Sequence, residues 1–80
     1  MPTILVLGGF RFFFYSRENQ EPAHIHVEYG DKLAKYWLSP LELASSKRFR
    51  DHELNQVRAL VLANRETFVE AWNDYFDAER

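Results

Sequence analysis

This chain of 80 residues has no cysteine, few glycines and prolines (three of each), and no long apolar run. Without thiols there are no disulfide staples, no thiolate metal sites and no cysteine nucleophile; the lack is compatible with a reducing compartment. A net charge of −2 gives no overall positive field to draw in nucleic acid. The apolar start, Thr3–Leu7, is far too short to span a membrane, and no basic stretch precedes it. A soluble, cytoplasmic protein is the expectation. At this length one small domain is expected, because a second core would leave neither with enough buried surface.

Aromatic residues are abundant: seven Phe, four Tyr and two Trp, or 16% of the chain. Each buries a large area, which suits a small core. Their number leaves some for a binding surface.

The first half reads as strands. Phe10–Tyr15 is a dense aromatic run with high β propensity, and Gly8-Gly9 before it marks a turn or bulge. Thr3–Leu7 is either a short strand pairing with it or a loose lead-in. Ser16–Ala23 is polar and contains Pro22, which predicts a loop. His24–Tyr29 and Leu33–Leu38 flank Gly30-Asp31, a hairpin signal. A two-residue loop sets Glu28 opposite Leu33, His26 opposite Lys35 and His24 opposite Trp37; a three-residue loop exchanges these partners. Ile25, Val27 and Tyr29 form an apolar stripe, the natural core face. The histidines then lie on the opposite face, where burial is not expected.

The second half reads as helix. Ser39-Pro40 with Glu42 has the pattern of a capping box and predicts a short helix over Pro40–Ser46, packing through Leu41 and Leu43-Ala44. Lys47–Arg50 is a connector and Asp51 caps the next helix. From Leu54 through Val57, Leu60, Val61, Phe68, Trp72, Tyr75 and Phe76 the apolar residues keep the helical period. No Gly or Pro comes after Asp51, so one long helix or two helices broken near Asn64-Arg65 both fit. The expected fold is α+β: a small antiparallel sheet, strands about 3–38, packed against C-terminal helices, about 40–78.

His24, His26 and Glu28 at alternate positions project together from one strand. Two imidazoles and a carboxylate suit a divalent metal such as Zn²⁺ or Fe²⁺. They also suit acid–base work on RNA, since histidine titrates near neutral pH. The third reading is a polar strand face whose histidines bond to loop residues or stack on Trp37. No other cofactor is expected. Arg11, Arg17 and Lys35 offer charge for phosphates, and Tyr15, on one strand face with Arg11 and Phe13, offers a stacking surface. Lys47, Arg48 and Arg50 make the one basic cluster, either a phosphate contact or a solvated turn. His52, in a first helical turn, reads as an exposed surface residue. Glu66, Glu70 and Asp74, with Asp77 and Glu79, make the last helix acidic: a solvated face, or a dock for a basic partner segment.

Several stretches together resemble one small bacterial family. They are Met1-Pro2-Thr3-Ile4, Phe14-Tyr15-Ser16 and Pro22-Ala23-His24-Ile25-His26-Val27-Glu28-Tyr29-Gly30, then Leu38-Ser39-Pro40-Leu41-Glu42-Leu43-Ala44 and Glu70-Ala71-Trp72-Asn73. The family is the one known as domain of unknown function 4160, which often has two prolines where this chain has Pro22-Ala23. The resemblance implies a small cognate protein partner, often of the family known as domain of unknown function 2442, in a toxin–antitoxin module. It also implies a link to RNA or DNA, or transcriptional regulation through the partner. It supplies no catalytic residues. The residues therefore leave two classes open: a component acting on or binding RNA through His24, His26, Glu28 and Arg11, and a non-enzymatic protein-binding module. A second copy of the chain is a further partner to consider.

Overall fold

The computed structural model describes residues 3–15 and 20–77. Arg17 and Glu79, and much of the expected Ser16–Ala23 loop, lie outside them.

Turn chemistry in the first half sets up a meander. Five strands succeed one another, β1 (Thr3–Leu7), β2 (Phe10–Phe13), β3 (His24–Tyr29), β4 (Lys32–Leu38) and β5 (Leu41–Lys47), and neighbours in sequence are neighbours in the sheet. All pairings are antiparallel. Gly8 and Gly9, at φ 55° and 85°, close the first hairpin in a conformation that a side chain resists. The Gly30-Asp31 loop has two residues, so Glu28 faces Leu33, His26 faces Lys35 and His24 faces Trp37, the first of the two registers considered.

The expected helix at Pro40–Ser46 is not there. Leu41–Lys47 is the edge strand β5, paired with β4 from Leu38↔Leu41 to Leu33↔Lys47. Ser39 and Pro40 form the turn between β4 and β5, so Ser39 caps no helix. The capping-box signal is local and small in energy; β4 offers a full row of outward hydrogen-bonding groups, and Ser45-Ser46 weaken any helix there. Asp51 is likewise the first residue of a helix rather than its cap. Arg50 holds the cap position, and its backbone N–H donates to Glu53 Oε1 at 2.9 Å.

Two helices complete the chain, α1 (Asp51–Ala63) and α2 (Arg65–Asp77). The break falls at Asn64, whose side-chain amide donates to the Leu60 carbonyl at 2.8 Å. A short polar side chain that bonds the preceding turn competes with the helical ladder. Arg65 Nε donates to the Leu38 carbonyl, which ties the junction to the end of β4. Among the described residues no helix is long and apolar enough to cross a membrane.

The core lies between one face of the sheet and the helices. Phe12, Ile25, Val27, Ala34, Tyr36 and Leu38 meet Val57, Val61, Phe68, Trp72 and Phe76, with Phe14 completing the cluster. Phe12 stacks on Phe68 with ring centres 5.2 Å apart. The Tyr36 hydroxyl donates to the Leu54 carbonyl at 3.1 Å, and burial raises its pKa above the usual value. Tyr29, the third residue of the expected stripe, is 43% exposed and packs on Phe10. His52, Glu66, Glu70 and Asp74 are exposed.

Lys32 of β4 bonds Glu53 in the first turn of α1 and joins the sheet to the helix. The Lys32 hydrogen bond and the Arg50 backbone bond hold the Glu53 carboxyl below its ordinary value. Its contribution is therefore complete above about pH 4.3, the unfolded value, and fades as pH falls through the lower folded value. In urea titrations, Glu53→Gln is expected to be less stable than wild type at pH 7. The gap should close toward about pH 2; an equal gap at both pH values would refute the linkage.

Candidate functional site

The register sorts the second face of the sheet, opposite the one that carries Phe12, Ile25, Val27 and Tyr36, into rows. Arg11, Glu28, Leu33 and Lys47 form one; Phe13, His26, Lys35 and Ser45 form the next; His24, Trp37 and Glu42 form the third. Residues 42 and 47 share this face, although five apart, because the β4–β5 ladder shifts register between Lys35 and Tyr36. Ala44 is the extra residue of that bulge.

The histidines are on the expected face, but their burial overturns the expectation. His24 is fully buried and His26 is 8% exposed. The cause is aromatic cover from elsewhere in the chain. Trp72 of α2 lies 4.7 Å from the His24 ring and Trp37 lies 5.5 Å from it. His24 Nδ1 sits 2.9 Å from the Pro22 carbonyl oxygen, which can only accept, so Nδ1 carries a proton and donates. This ties down the loop entering β3. His26 lies stacked on Phe13 at 5.4 Å and meets Tyr15 edge-on at 4.8 Å.

Charges on this face are largely compensated. Arg11 bonds Glu28 at 3.1 Å and Thr3 Oγ1 at 3.0 Å, while its guanidinium lies 4.2 Å over Phe13. Lys35 bonds both oxygens of Glu21, at 2.9 and 3.2 Å, and lies 4.4 Å over Trp37. Lys47 has no ion pair among the described residues.

A groove of about 310 Å³ runs along the middle of this face. Tyr15, His26, Leu33, Lys35, Ser45 and Lys47 line it. It thus joins four of the residues singled out from the sequence: His26, Tyr15, Lys35 and Lys47. The others fall elsewhere. His24 is under Trp72, Glu28 and Arg11 hold each other, Arg48 bonds Asp31 at 2.8 Å, and Arg50 precedes α1. Among the described residues no three His, Asp or Glu side chains cluster to hold a metal. Ser45 escaped sequence reasoning because its segment read as helix; once 41–47 is a strand, alternation with Lys47 gives it away. Phe13 was legible as a neighbour of Tyr15, but its place beneath His26 needs the β2–β3 register.

The groove combines an apolar floor, a titratable imidazole held between two rings, two hydroxyls and two ammonium groups. Such a set can hold a phosphate at one end and a flat ring at the other. Searches of curated proteins and of solved structures find no match. Residues 9–73 match the family described as Domain of unknown function (DUF4160), and the chain belongs to that family.

Proposed function

We propose that the groove of the open sheet face binds a short stretch of single-stranded RNA. In this reading the protein is the RNA-contacting component of a two-protein toxin–antitoxin module, the setting the family resemblance implies. The observation that carries it is the grouping of Tyr15, His26, Ser45, Lys35 and Lys47 around one groove. Tyr15, 43% exposed, offers a ring for a base; Lys47 and Ser45 offer donors for a phosphate, and Lys35 joins them when a phosphate displaces Glu21. On this face Glu28 pairs with Arg11 and Glu21 with Lys35, so among the described residues Lys47 is the groove cation without an ion pair.

The test is fluorescence anisotropy with a labelled RNA of mixed sequence, about ten nucleotides long, across a salt series. Tyr15→Ala is expected to weaken binding by about 1–3 kcal/mol, the usual worth of one stacked base. Lys47→Gln should weaken all sequences alike and flatten the slope of log affinity against log salt by about 0.7. No binding at low salt, or binding that both variants leave unchanged, would sink the reading. Tracking the same RNA on a gel separates enzyme from binder. Cleavage lost in His26→Ala with affinity kept assigns His26 an acid–base role, whereas intact RNA assigns a binder.

A further inference from the structure

β5 is an open edge, bonded to β4 on one side only. It is seven residues long, has no Pro or Gly, and is exposed at every position after Leu41. Its outward N–H and C=O groups form a template for another strand. Its side chains specify which strand.

Read from Glu42 to Lys47, the strand is Glu-Leu-Ala-Ser-Ser-Lys. Glu42 and Lys47 are on the open face, while Leu43 and Ser46, paired with Tyr36 and Ala34, are on the core face. Without the bulge at Ala44, positions 42 and 47 would fall on opposite faces. With it, the pattern of faces reads the same from both ends. An antiparallel copy of β5, related by a two-fold axis between residues 44 and 45, therefore sets Glu42 opposite Lys47 twice, and Leu43 opposite Ser46 twice. Each pair stays on one face. Opposite charges facing across strands stabilise a pairing, and like charges disfavour it. A parallel copy in register would set Glu42 against Glu42. The other edge, β1, is Thr-Ile-Leu-Val-Leu and has no charge to fix any register.

We infer that β5 pairs with β5 of a second copy of this chain, joining two sheets into one through two Glu42–Lys47 ion pairs. The symmetric contact closes on itself, so assembly stops at the dimer. Leu43, 44% exposed in the single chain, gains cover next to the cleft formed with Tyr36, Leu54 and Arg58. Two open faces then lie side by side. The inference goes beyond the RNA reading and does not rest on it. Lys47 serves both, since an ammonium has three donors and can hold a carboxylate and a phosphate together.

The experiment is sedimentation velocity on protein alone, at rising concentration to about 0.5 mM, in low salt. Wild type is expected to move from monomer to dimer. Glu42→Lys and Lys47→Glu, both changes on an exposed edge that circular dichroism should show folded, are each expected to stay monomeric. An equimolar mixture of the two variants should dimerise again, because every facing pair is then of opposite charge. Three results would overturn the inference. A wild type that stays monomeric would leave the edge to a foreign strand. Single variants that dimerise like wild type would put the contact elsewhere. A mixture that stays monomeric would refute this register.

Discussion

Trp72→Ala is expected to remove about 3–5 kcal/mol of stability, the usual cost of deleting a buried aromatic. A domain of this size holds roughly 4–12 kcal/mol in all, so the variant should be close to unfolding at room temperature. The size of the effect comes from the contacts of the ring. Its centre lies 4.3 Å from Phe76, 5.5 Å from Phe14 and 4.7 Å from His24. The first two contacts belong to the core. The third reaches the strand that supplies the groove histidine, so one side chain of α2 supports both. Urea denaturation monitored by far-ultraviolet circular dichroism gives the loss directly. A companion His24→Ala variant, and the double variant, should be non-additive by about 0.5–3 kcal/mol, as expected for residues in contact. A loss under about 1 kcal/mol for Trp72→Ala would place it with surface substitutions and remove its structural role.

The reach of Trp72 also explains which features could and could not be read from the chain. Alternation fixes which residues of His24–Tyr29 share a face, and Gly30-Asp31 places the hairpin and narrows it to two registers, the two-residue loop being the one formed; both are short-range properties. The helical period from Leu54 to Phe76 is equally local. Whether the face of His24 is wet or dry depends on a side chain of α2, far along the chain, and periodicity carries no such information. The strand at Leu41–Lys47 was hidden for the same reason. Only Leu41 is half-buried there, so the edge strand has no apolar alternation to display, and its hydrogen bonds come from β4. The local signal that is present, Ser39-Pro40 with Glu42 close behind, points to a helix start and loses to pairing. The break at Asn64 lies between these cases. Asparagine at that position is a weak cue alone, and Arg65 reaching the Leu38 carbonyl completes it only once the fold exists. The groove was partly legible: Tyr15 and His26 from strand alternation and Lys35 from the hairpin, but not Ser45.

Gly9→Ala is expected to cost about 2–3 kcal/mol, against about 1 kcal/mol for Gly30→Ala. Both glycines have positive φ, 85° and 61°, so both substitutions carry a backbone penalty. Gly30 lies within the range a left-handed residue tolerates, whereas Gly9 lies beyond it. Their surroundings differ more. A Cβ at Gly30 would meet nothing within 4 Å, whereas one at Gly9 would come 2.9 Å from Cε2 of the Tyr29 ring. That ring would have to move, and its position is set by packing on Phe10 with centres 4.9 Å apart. The turn of the first hairpin therefore leans on the end of β3, and its glycine is needed for close approach as well as for conformation. Thermal or urea unfolding of the two variants measures the difference. The same pair built into Tyr29→Ala should differ much less, because the obstructing ring is gone while the backbone conformations stay. If Gly9→Ala remained equally costly in that background, the cost would belong to φ alone, and the close approach of the Tyr29 ring would contribute nothing to it.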